Sequence, residues 1–181
     1  MRYKTKSVRC LGIDPGIANT GWAVVAKSSH GYTLIADGRI QTPASESTGE
    51  RKPLTIYKAV SEVVECETPD KIAIERCYHN KNISSSQSTG AVIGVVQLVG
   101  AQIGIEVSEF TSQQVKACSG MGGGADKKSV QRMMCKIFKR ERLNAHIADT
   151  VACAVGGVLT PSRTNARPSE SRRINVFSFF F

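Results

Sequence analysis

The sequence lacks any apolar run approaching the ~18 residues that a membrane-spanning helix needs. Residues 1–9 are basic but are not followed by a long apolar stretch, so we expect no secretion signal. The cysteines form no C-x-x-C pair, and no histidine lies at zinc-finger spacing from them. With 41% hydrophobic and 22% charged residues, the composition excludes a wholly disordered chain, a collagen and a coiled coil.

Acidic residues are scarce relative to basic ones. Asp and Glu number 15 against 24 Lys and Arg, which gives a formal net charge of +9. Such an excess favours a polyanionic partner, because each neutralised phosphate releases condensed counterions. The alternative is a basic protein with no such partner. A length of 181 residues fits one domain with a self-sufficient core.

The six cysteines have no spacing that suggests a metal or a disulfide framework. They stand at positions 10, 66, 77, 118, 135 and 153. Several lie within apolar stretches, so we expect buried, reduced thiols in a cytosolic protein.

The first half of the chain predicts a meander followed by a crossover. Short apolar runs at 8–14, 21–26, 32–36 and 38–42 indicate three antiparallel strands, with Asp37-Gly38 as a bulge or bend in the third. A loop at 43–52 precedes a helix that Pro53 opens. A strand at 71–75 follows, and a right-handed crossover makes it parallel to the first strand.

The second half predicts mostly helices. We expect an exposed polar loop at 76–90, a buried helix at 90–104 whose small residues let another helix approach, and a strand at 105–110. Thr111 caps a short helix, a glycine loop covers 119–125, and Asp126 caps an amphipathic helix. A last helix begins near Asn144 and ends at Gly156 or Gly157. Beyond 161 we expect a mobile Ser- and Arg-rich tail.

Two carboxylates follow buried strands. Asp14 and Glu75 each close a strand, and these strands are predicted to be parallel, so both side chains belong at the same edge of the sheet. Crowded carboxylates repel unless a cation or proton intervenes, and hard divalent cations prefer oxygen ligands. The pair therefore indicates a magnesium or manganese site. Taken singly, each is more simply an acidic strand-end residue in water.

His146 and Asp149 lie three residues apart on the last predicted helix and share one face. The opposite face is apolar, so the pair can point into a cleft while the helix stays anchored. Alone, His146 is more simply a surface histidine. It becomes a functional candidate if Asp14 and Glu75 converge on it.

Two further stretches suit nucleic acid. Residues 121–128 join a flexible glycine run to a helix start bearing Lys127 and Lys128, which suits phosphate binding, although the spacing is not that of a Walker loop. Tyr78 lies in the polar loop beside Glu75 and could stack on an unpaired base or simply pack on the loop.

These motifs together resemble the bacterial-type RuvC Holliday-junction resolvases of the ribonuclease H-like superfamily. The matching pieces occur in the family's order over roughly residues 9–158. They are Leu11-Gly-Ile-Asp-Pro-Gly16, Gly21, Ile72-Ala-Ile-Glu75, Gln114-Val-Lys116, Ala125-Asp-Lys127, His146-Ile-Ala-Asp149 and Ala152. The resemblance implies an α/β fold: a five-stranded mixed sheet, three antiparallel strands and then parallel ones, flanked by helices. It divides the chain into an extension (1–8), a nuclease domain (9–160) and a flexible basic tail (161–181).

The resemblance also implies a catalytic site. By position, the metal-binding catalytic residues are Asp14, Glu75, His146 and Asp149, and they would hold two Mg²⁺ ions, with Mn²⁺ as a substitute. Many members have Asp where this chain has His146. The implied DNA contacts are Tyr78, which would wedge at the junction, Lys116 and Lys127; Lys81 and Lys128 are further candidates.

The implied substrate is four-way branched DNA, cut by paired symmetric nicks in the cytoplasm, at the nucleoid. A homodimer joined through the 90–104 helix is expected, and a branch-migration motor complex is a candidate partner. Three alternatives stay open: an actin-like or sugar-kinase ATPase, a junction-binding protein that does not cleave, and a viral-type nuclease that also cuts flaps and Y-forks.

Overall fold

The computed structural model describes residues 7–43, 45, 51–76 and 83–161. The strands are β1 (Val8–Asp14), β2 (Asn19–Ser28), β3 (Gly31–Gln41), β4 (Lys71–Arg76) and β5 (Val107–Thr111). The helices are α1 (Arg51–Glu67), α2 (Ile83–Ile103), α3 (Ser112–Cys118), α4 (Lys127–Ile137) and α5 (Ala145–Leu159). Among these residues, no helix is both long and apolar enough to cross a bilayer.

The five strands form one mixed sheet in the order β3-β2-β1-β4-β5. β1 pairs antiparallel with β2, and β2 with β3, whereas β4 runs parallel to both β1 and β5. The expected sheet is therefore confirmed, including the crossover through α1 that returns the chain parallel to β1. Its topology matters because it brings the carboxyl ends of β1, β4 and β5 to one edge.

Alternating side chains along the central strands enter two separate cores. Leu11 and Ile13 of β1 pack with α1 and α2 on one face, whereas Cys10 packs with α5 on the other. β4 alternates in the same way, with Ile72 and Ile74 toward α1 and α2 and Ala73 toward α5. Because side chains alternate every second residue, Asp14 of β1 and Glu75 of β4 share the α5 face.

Helix α5 lies directly on the backbone of β1. A Cβ atom at Gly12 would come within 2.6 Å of the backbone nitrogen of Ala154, closer than real contacts allow. Gly157 meets Cys10 and Ala73 in the same way. The small residues at this crossing bring the helix close to the sheet, and they fix where its first turn stands relative to the strand ends.

The predicted starts of α3, α4 and α5 are confirmed by their caps. The Thr111 side chain accepts a hydrogen bond from the backbone N–H of Gln114, whose own side chain completes a capping box. Asp126 accepts from the N–H of Ser129 and caps α4, and Asn144 accepts from the N–H of His146 and caps α5. Each cap satisfies a backbone donor that has no partner within its helix.

The bulge or bend predicted at Asp37-Gly38 is wrong in its position. β3 is continuous there, and the pairing register shifts instead where Val24 faces Ala36 and Val25 faces Leu34, so that Ile35 is the extra residue. Gly38 serves a different purpose, because a Cβ atom at that position would lie 2.7 Å from the ring of Trp22. The glycine makes room for an aromatic side chain and does not mark a turn.

The predicted loop at 76–90 is wrong for its second half, because α2 begins at Ile83. The serine-rich start has weak helix propensity, yet tertiary contacts extend the helix: Thr89 is buried against the fold. Within α2, a Cβ atom at Gly90 or Gly94 would have no neighbour within 4 Å among the described residues, so no described helix of this chain packs closely against these two positions. The Tyr78 loop lies outside the described residues.

The expectation that the cysteines are buried holds for Cys10 and Cys153. Burial raises the pKa of the Cys10 thiol to about 12, so it remains a protonated core side chain. Cys118 and Cys135 are half-buried, and for Cys66 the expectation is wrong, because it is exposed on α1. All five described cysteines are free thiols. Cys77 lies outside the described part of the chain.

Candidate active site

Strand register places Asp14 beside Glu75. The parallel β1–β4 ladder pairs Ile13 with Ile74, and the next position along each strand is a carboxylate. Both carboxylates lie on the face that α5 covers. The placement follows from two local facts, a two-residue side-chain period and a parallel ladder in register, and both were predictable from the sequence.

The first turn of α5 stands over these strand ends. Thr150 is fully buried, its hydroxyl donates to the carbonyl oxygen of His146 at 2.8 Å, and it lies against β2 where Gly21 has no side chain. A Cβ atom at Gly21 would come 2.9 Å from that hydroxyl oxygen. Seating Thr150 in this space holds the turn bearing His146 and Asp149 next to Asp14, since Gly21 pairs with Asp14 across β1 and β2.

The electrostatics of Asp14 connect β1 to α5. Burial raises the pKa of the Asp14 carboxyl, and the negative charge of Asp149 raises it further. The charges of His146 and Lys127 act in the opposite direction. Asp14 is thus a partly desolvated carboxylate within range of another carboxylate, which is a strained state for a charged group.

Glu75 is subject to the same forces. Burial raises the pKa of its carboxyl, and the charges of Asp14 and Asp149 add to that rise. The hydroxyl of Ser112 opposes it by donating a hydrogen bond to Oε1 of Glu75. The charge of Asp149 on α5 therefore acts on the carboxyls of both Asp14 on β1 and Glu75 on β4.

Lys127 brings a positive charge to this cluster. Its ammonium nitrogen lies 3.4 Å from Oδ2 of Asp149, whose side chain is only 15% exposed. The same charge lowers the pKa of both Asp14 and Glu75. Lys127 is the first residue of α4, directly after the capping Asp126, so the glycine loop delivers it to the site.

The side chains at this site are of the types that bind a hard divalent cation. It offers three carboxylates and one imidazole, and the raised pKa values of Asp14 and Glu75 show negative charge that a cation would relieve. Within the described ranges, however, no three His, Cys, Asp or Glu side chains form a ready metal-binding group. Glu75 accepts a hydrogen bond from Ser112, and Asp149 forms an ion pair with Lys127.

Ser112 was not predicted from the sequence. It opens α3 immediately after β5, the third parallel strand, and thus lies at the same sheet edge as Asp14 and Glu75. The strand-end rule that singled out those two carboxylates applies equally here. The missed signal was that a hydroxyl, and not only a charge, can serve at such a position.

The predicted DNA-binding residues fall into three groups. Lys127 is part of the carboxylate cluster, whereas Lys128 is exposed and its charge helps to lower the pKa of Asp126. Lys116 lies in the last turn of α3. Tyr78 and Lys81 lie outside the described residues, so their roles stay predictions.

Sequence comparison links the chain to one family. The family model described as "Crossover junction endodeoxyribonuclease RuvC" matches residues 10–157. A protein of that name from Rhodopseudomonas palustris is 35% identical over 150 residues, which cover 82% of this chain and 85% of the relative. Another, from Brevibacillus brevis, is 34% identical over 170 residues and covers 92% of this chain and 99% of its own length.

Solved structures agree with the fold. The structure of Thermus thermophilus RuvC in complex with a Holliday junction substrate superposes with a TM-score of 0.76 at 26% identity, over 82% of this chain and 92% of that one. The yeast mitochondrial Holliday junction resolvase Ydc2 gives a TM-score of 0.58 at 12% identity, over 82% of this chain and 78% of that one, which supports the fold alone.

Proposed function

Because the chain belongs to the RuvC family of crossover junction endodeoxyribonucleases, we propose that it resolves four-way DNA junctions by paired, symmetric nicks. The observation that carries this proposal is the electrostatic coupling of Asp14, Glu75 and Asp149 at one edge of the sheet. The structure of the Thermus relative with a Holliday junction supports the choice of substrate. A net charge of +9 suits a polyanion.

The proposed cofactors are two Mg²⁺ ions, which Mn²⁺ could replace. Asp14, Glu75, His146 and Asp149 would hold them. A divalent cation, when bound, supplies an acidified water for attack on phosphorus and stabilises the leaving 3′ oxygen. The products would be 5′-phosphate and 3′-hydroxyl ends.

The chain's own groups prepare this site. Ser112 holds Oε1 of Glu75 by a hydrogen bond and so orients that carboxylate. Burial raises the pKa of Asp14 and Glu75, and the charge of Lys127 opposes that rise at both carboxyls. The flexible ammonium of Lys127 can also turn to a DNA phosphate once the carboxylates are otherwise neutralised.

The proposed DNA grip uses positive charge around the site. Lys116, Lys127 and Lys128 would contact backbone phosphates, and contacts of this kind fix register without reading sequence. Tyr78 would stack at the junction and Lys81 would contact the backbone beside it. These last two are carried by the family resemblance and by the polar character of their loop.

A homodimer would match the two-fold symmetry of a four-way junction, with one nick per subunit. The outward face of α2 supports this arrangement. It is uncharged and carries Leu98, which is 52% exposed, and the side-chain-free positions Gly90 and Gly94 lie on the same stripe. A branch-migration motor is the proposed partner of the dimer, acting on DNA in the cytoplasm at the nucleoid.

The test is an assay on a synthetic immobile four-way junction with Mg²⁺, Mn²⁺ or a chelator, with the nick positions mapped on all four strands. We expect two nicks at symmetry-related positions, dependent on the metal and repairable by ligase. Flaps and Y-forks are included as substrates. Equal cleavage of those forms would favour the broader branched-DNA nuclease, and binding without any nick would contradict the proposal.

A further inference from the structure

A groove lies between α1 and the sheet, on the face of the sheet opposite the one that α5 covers. It encloses about 320 Å³, and its apolar lining includes Trp22, Ile40, Ala59 and Val63. Glu62 and Glu67 border the same groove. In a chain of net charge +9, this locally acidic border makes the groove a poor surface for DNA.

The C-terminal segment, residues 162–181, has the complementary chemistry. It lies outside the described residues, and its sequence contains four arginines and a single acidic residue, Glu170. Its last five residues, 177–181, read Phe-Ser-Phe-Phe-Phe. The segment thus offers positive charge first and a cluster of large apolar rings at its end.

The chain leaves the described part near the border of the groove. At the end of α5, the carbonyl oxygen of Thr160 accepts a hydrogen bond from the Lys71 ammonium. At the end of α1, the carbonyl oxygen of Glu67 accepts one from Arg9 at 3.0 Å, and the backbone N–H of Arg9 donates to Asp70 at 2.9 Å. The ends of α5 and α1 therefore lie at the same end of the sheet, around the start of β4 and opposite the end that carries Asp14 and Glu75.

The length of the segment allows it to reach the groove. The residues from 162 to 177 can span up to roughly 50 Å when extended, at about 3.3 Å per residue. A route around the sheet edge to the other face needs only a fraction of that span, since packed layers are about 10 Å apart. Tethering also raises the effective concentration of the segment at the groove.

We propose that the C-terminal segment docks in this groove of its own chain. Its phenylalanines cover Trp22 and Val63, and its arginines lie beside Glu62 and Glu67. The docked segment closes an apolar surface that would otherwise be exposed, and it keeps its arginines away from the site of DNA binding. This inference does not depend on the nuclease activity.

Two probes already lie in the groove. Trp22 is the sole tryptophan of the chain, so its fluorescence reports on this place alone. Cys66 lines the groove and is exposed. Its rate of modification by maleimide, measured by peptide mapping, therefore reports whether the groove is covered. The experiment compares the full chain with a full-length variant in which Phe177, Phe179, Phe180 and Phe181 are replaced by Ser.

In the serine variant we expect red-shifted Trp22 emission, stronger quenching by acrylamide and several-fold faster modification of Cys66. Adding a peptide of residues 162–181 should reverse all three. A second full-length variant, Glu62→Lys with Glu67→Lys, should shift the same three readouts in the same direction. Added salt should change those readouts less in this variant than in the wild type. Circular dichroism checks that each variant is folded.

Identical Trp22 emission and identical Cys66 rates in the wild type and the serine variant would overturn the proposal, because the groove would then be uncovered in both. Protection that disappears on dilution would also overturn it, since the groove would then be covered by another copy. Protection that is independent of concentration and lost with the phenylalanines supports docking within the chain.

Discussion

The ammonium of Lys127 lies 3.4 Å from Oδ2 of Asp149, so a positive charge from the start of α4 stands among three carboxylates carried by β1, β4 and α5. It acts on all of them, because it also lowers the pKa of Asp14 and of Glu75. The glycine loop before α4 thereby brings a positive charge to the carboxylate cluster.

Replacing Lys127 by Gln should move the acid limb of the pH profile for nicking to higher pH. Lys127 lowers the pKa of Asp14 and Glu75, so its removal raises both values. Only the ionised carboxylates bind cations, and a higher pH is then needed to ionise them. The measurement is the rate of junction nicking at saturating DNA over a range of pH.

Lys128→Gln is the matched control for Lys127→Gln. It removes the same charge one residue away. The Lys128 charge contributes to the lowered pKa of Asp126, and it is not among the charges that act on Asp14 and Glu75. Each variant should weaken DNA binding and reduce its salt dependence by about one in slope. Equal shifts of the acid limb in both variants would contradict a specific role for Lys127.

Asp14→Asn should abolish nicking and leave junction binding nearly intact. The change keeps the shape of the side chain and removes the charge, and we expect a loss of about 100-fold or more, as for other charge-stabilising groups in active sites. Binding is measured by fluorescence anisotropy and cleavage on the same junction. Retained cutting would remove Asp14 from the site, and Asp37→Asn on the exposed surface of β3 is the control.

The same variant should be more stable than the wild type at pH 7 in chelator. The folded-state pKa of Asp14 is raised by burial and by Asp149, so its contribution to stability is fully present below the unfolded pKa and is lost as pH rises through the folded value. At pH 7 the charged wild-type side chain is therefore unfavourable. We expect Asp14→Asn to raise Tm by a few degrees, with the difference shrinking in acid.

Ser112→Ala should lower the affinity for the divalent cation without changing the fold. It removes the hydrogen bond that orients Glu75, and loss of such a supporting contact commonly costs about 10–100-fold in metal affinity. Mn²⁺ binding, followed by electron paramagnetic resonance without DNA, gives a readout separate from cleavage. Ser112→Thr keeps the hydroxyl and should restore binding; if Thr behaves like Ala, the hydroxyl is not the cause.

Leu98→Glu should convert the proposed dimer into monomers. Leu98 is 52% exposed on an uncharged helix face, and a carboxylate there would be costly to bury between subunits. Sedimentation velocity measures the state, and paired nicking should become uncoupled single nicking. Leu54→Glu, at a similarly exposed leucine on α1, should leave the state unchanged. A dimeric Leu98→Glu variant would place the interface elsewhere.

Strand order, helix caps and the carboxylate pair were predictable because each depends on a short stretch of sequence. Val8–Asp14 and Lys71–Arg76 are apolar runs that end in a charge, and Thr111, Asp126 and Asn144 are helix-capping residues. The start of α2 and the bulge in β3 were not predictable in this way. The start of α2 depends on tertiary contacts, since Thr89 is buried. The glycine at position 38 makes room for Trp22 and does not mark the bulge, which is at Ile35.

The site shows the same division. Asp14 and Glu75 were predicted from strand ends, and Asp149 from its spacing to His146 on one helix. Lys127 was predicted to face DNA, and its ion pair with Asp149 could not be inferred, because it depends on how the loop at 119–125 folds back. The hydroxyl of Ser112 was missed since serine at a helix start is common and carries no charge to attract notice.

The backbone contact between Gly12 and Ala154 has a mechanical consequence. Because no side chain separates them, the backbones of β1 and α5 are in direct contact. The strand that carries Asp14 therefore cannot move closer to the helix that carries Asp149. A branched DNA whose shape does not match the fixed spacing between Asp14 and Asp149 then has to bend to reach both. Selectivity among branched substrates would then reflect how readily each nucleic acid distorts, as much as any contact that the protein makes.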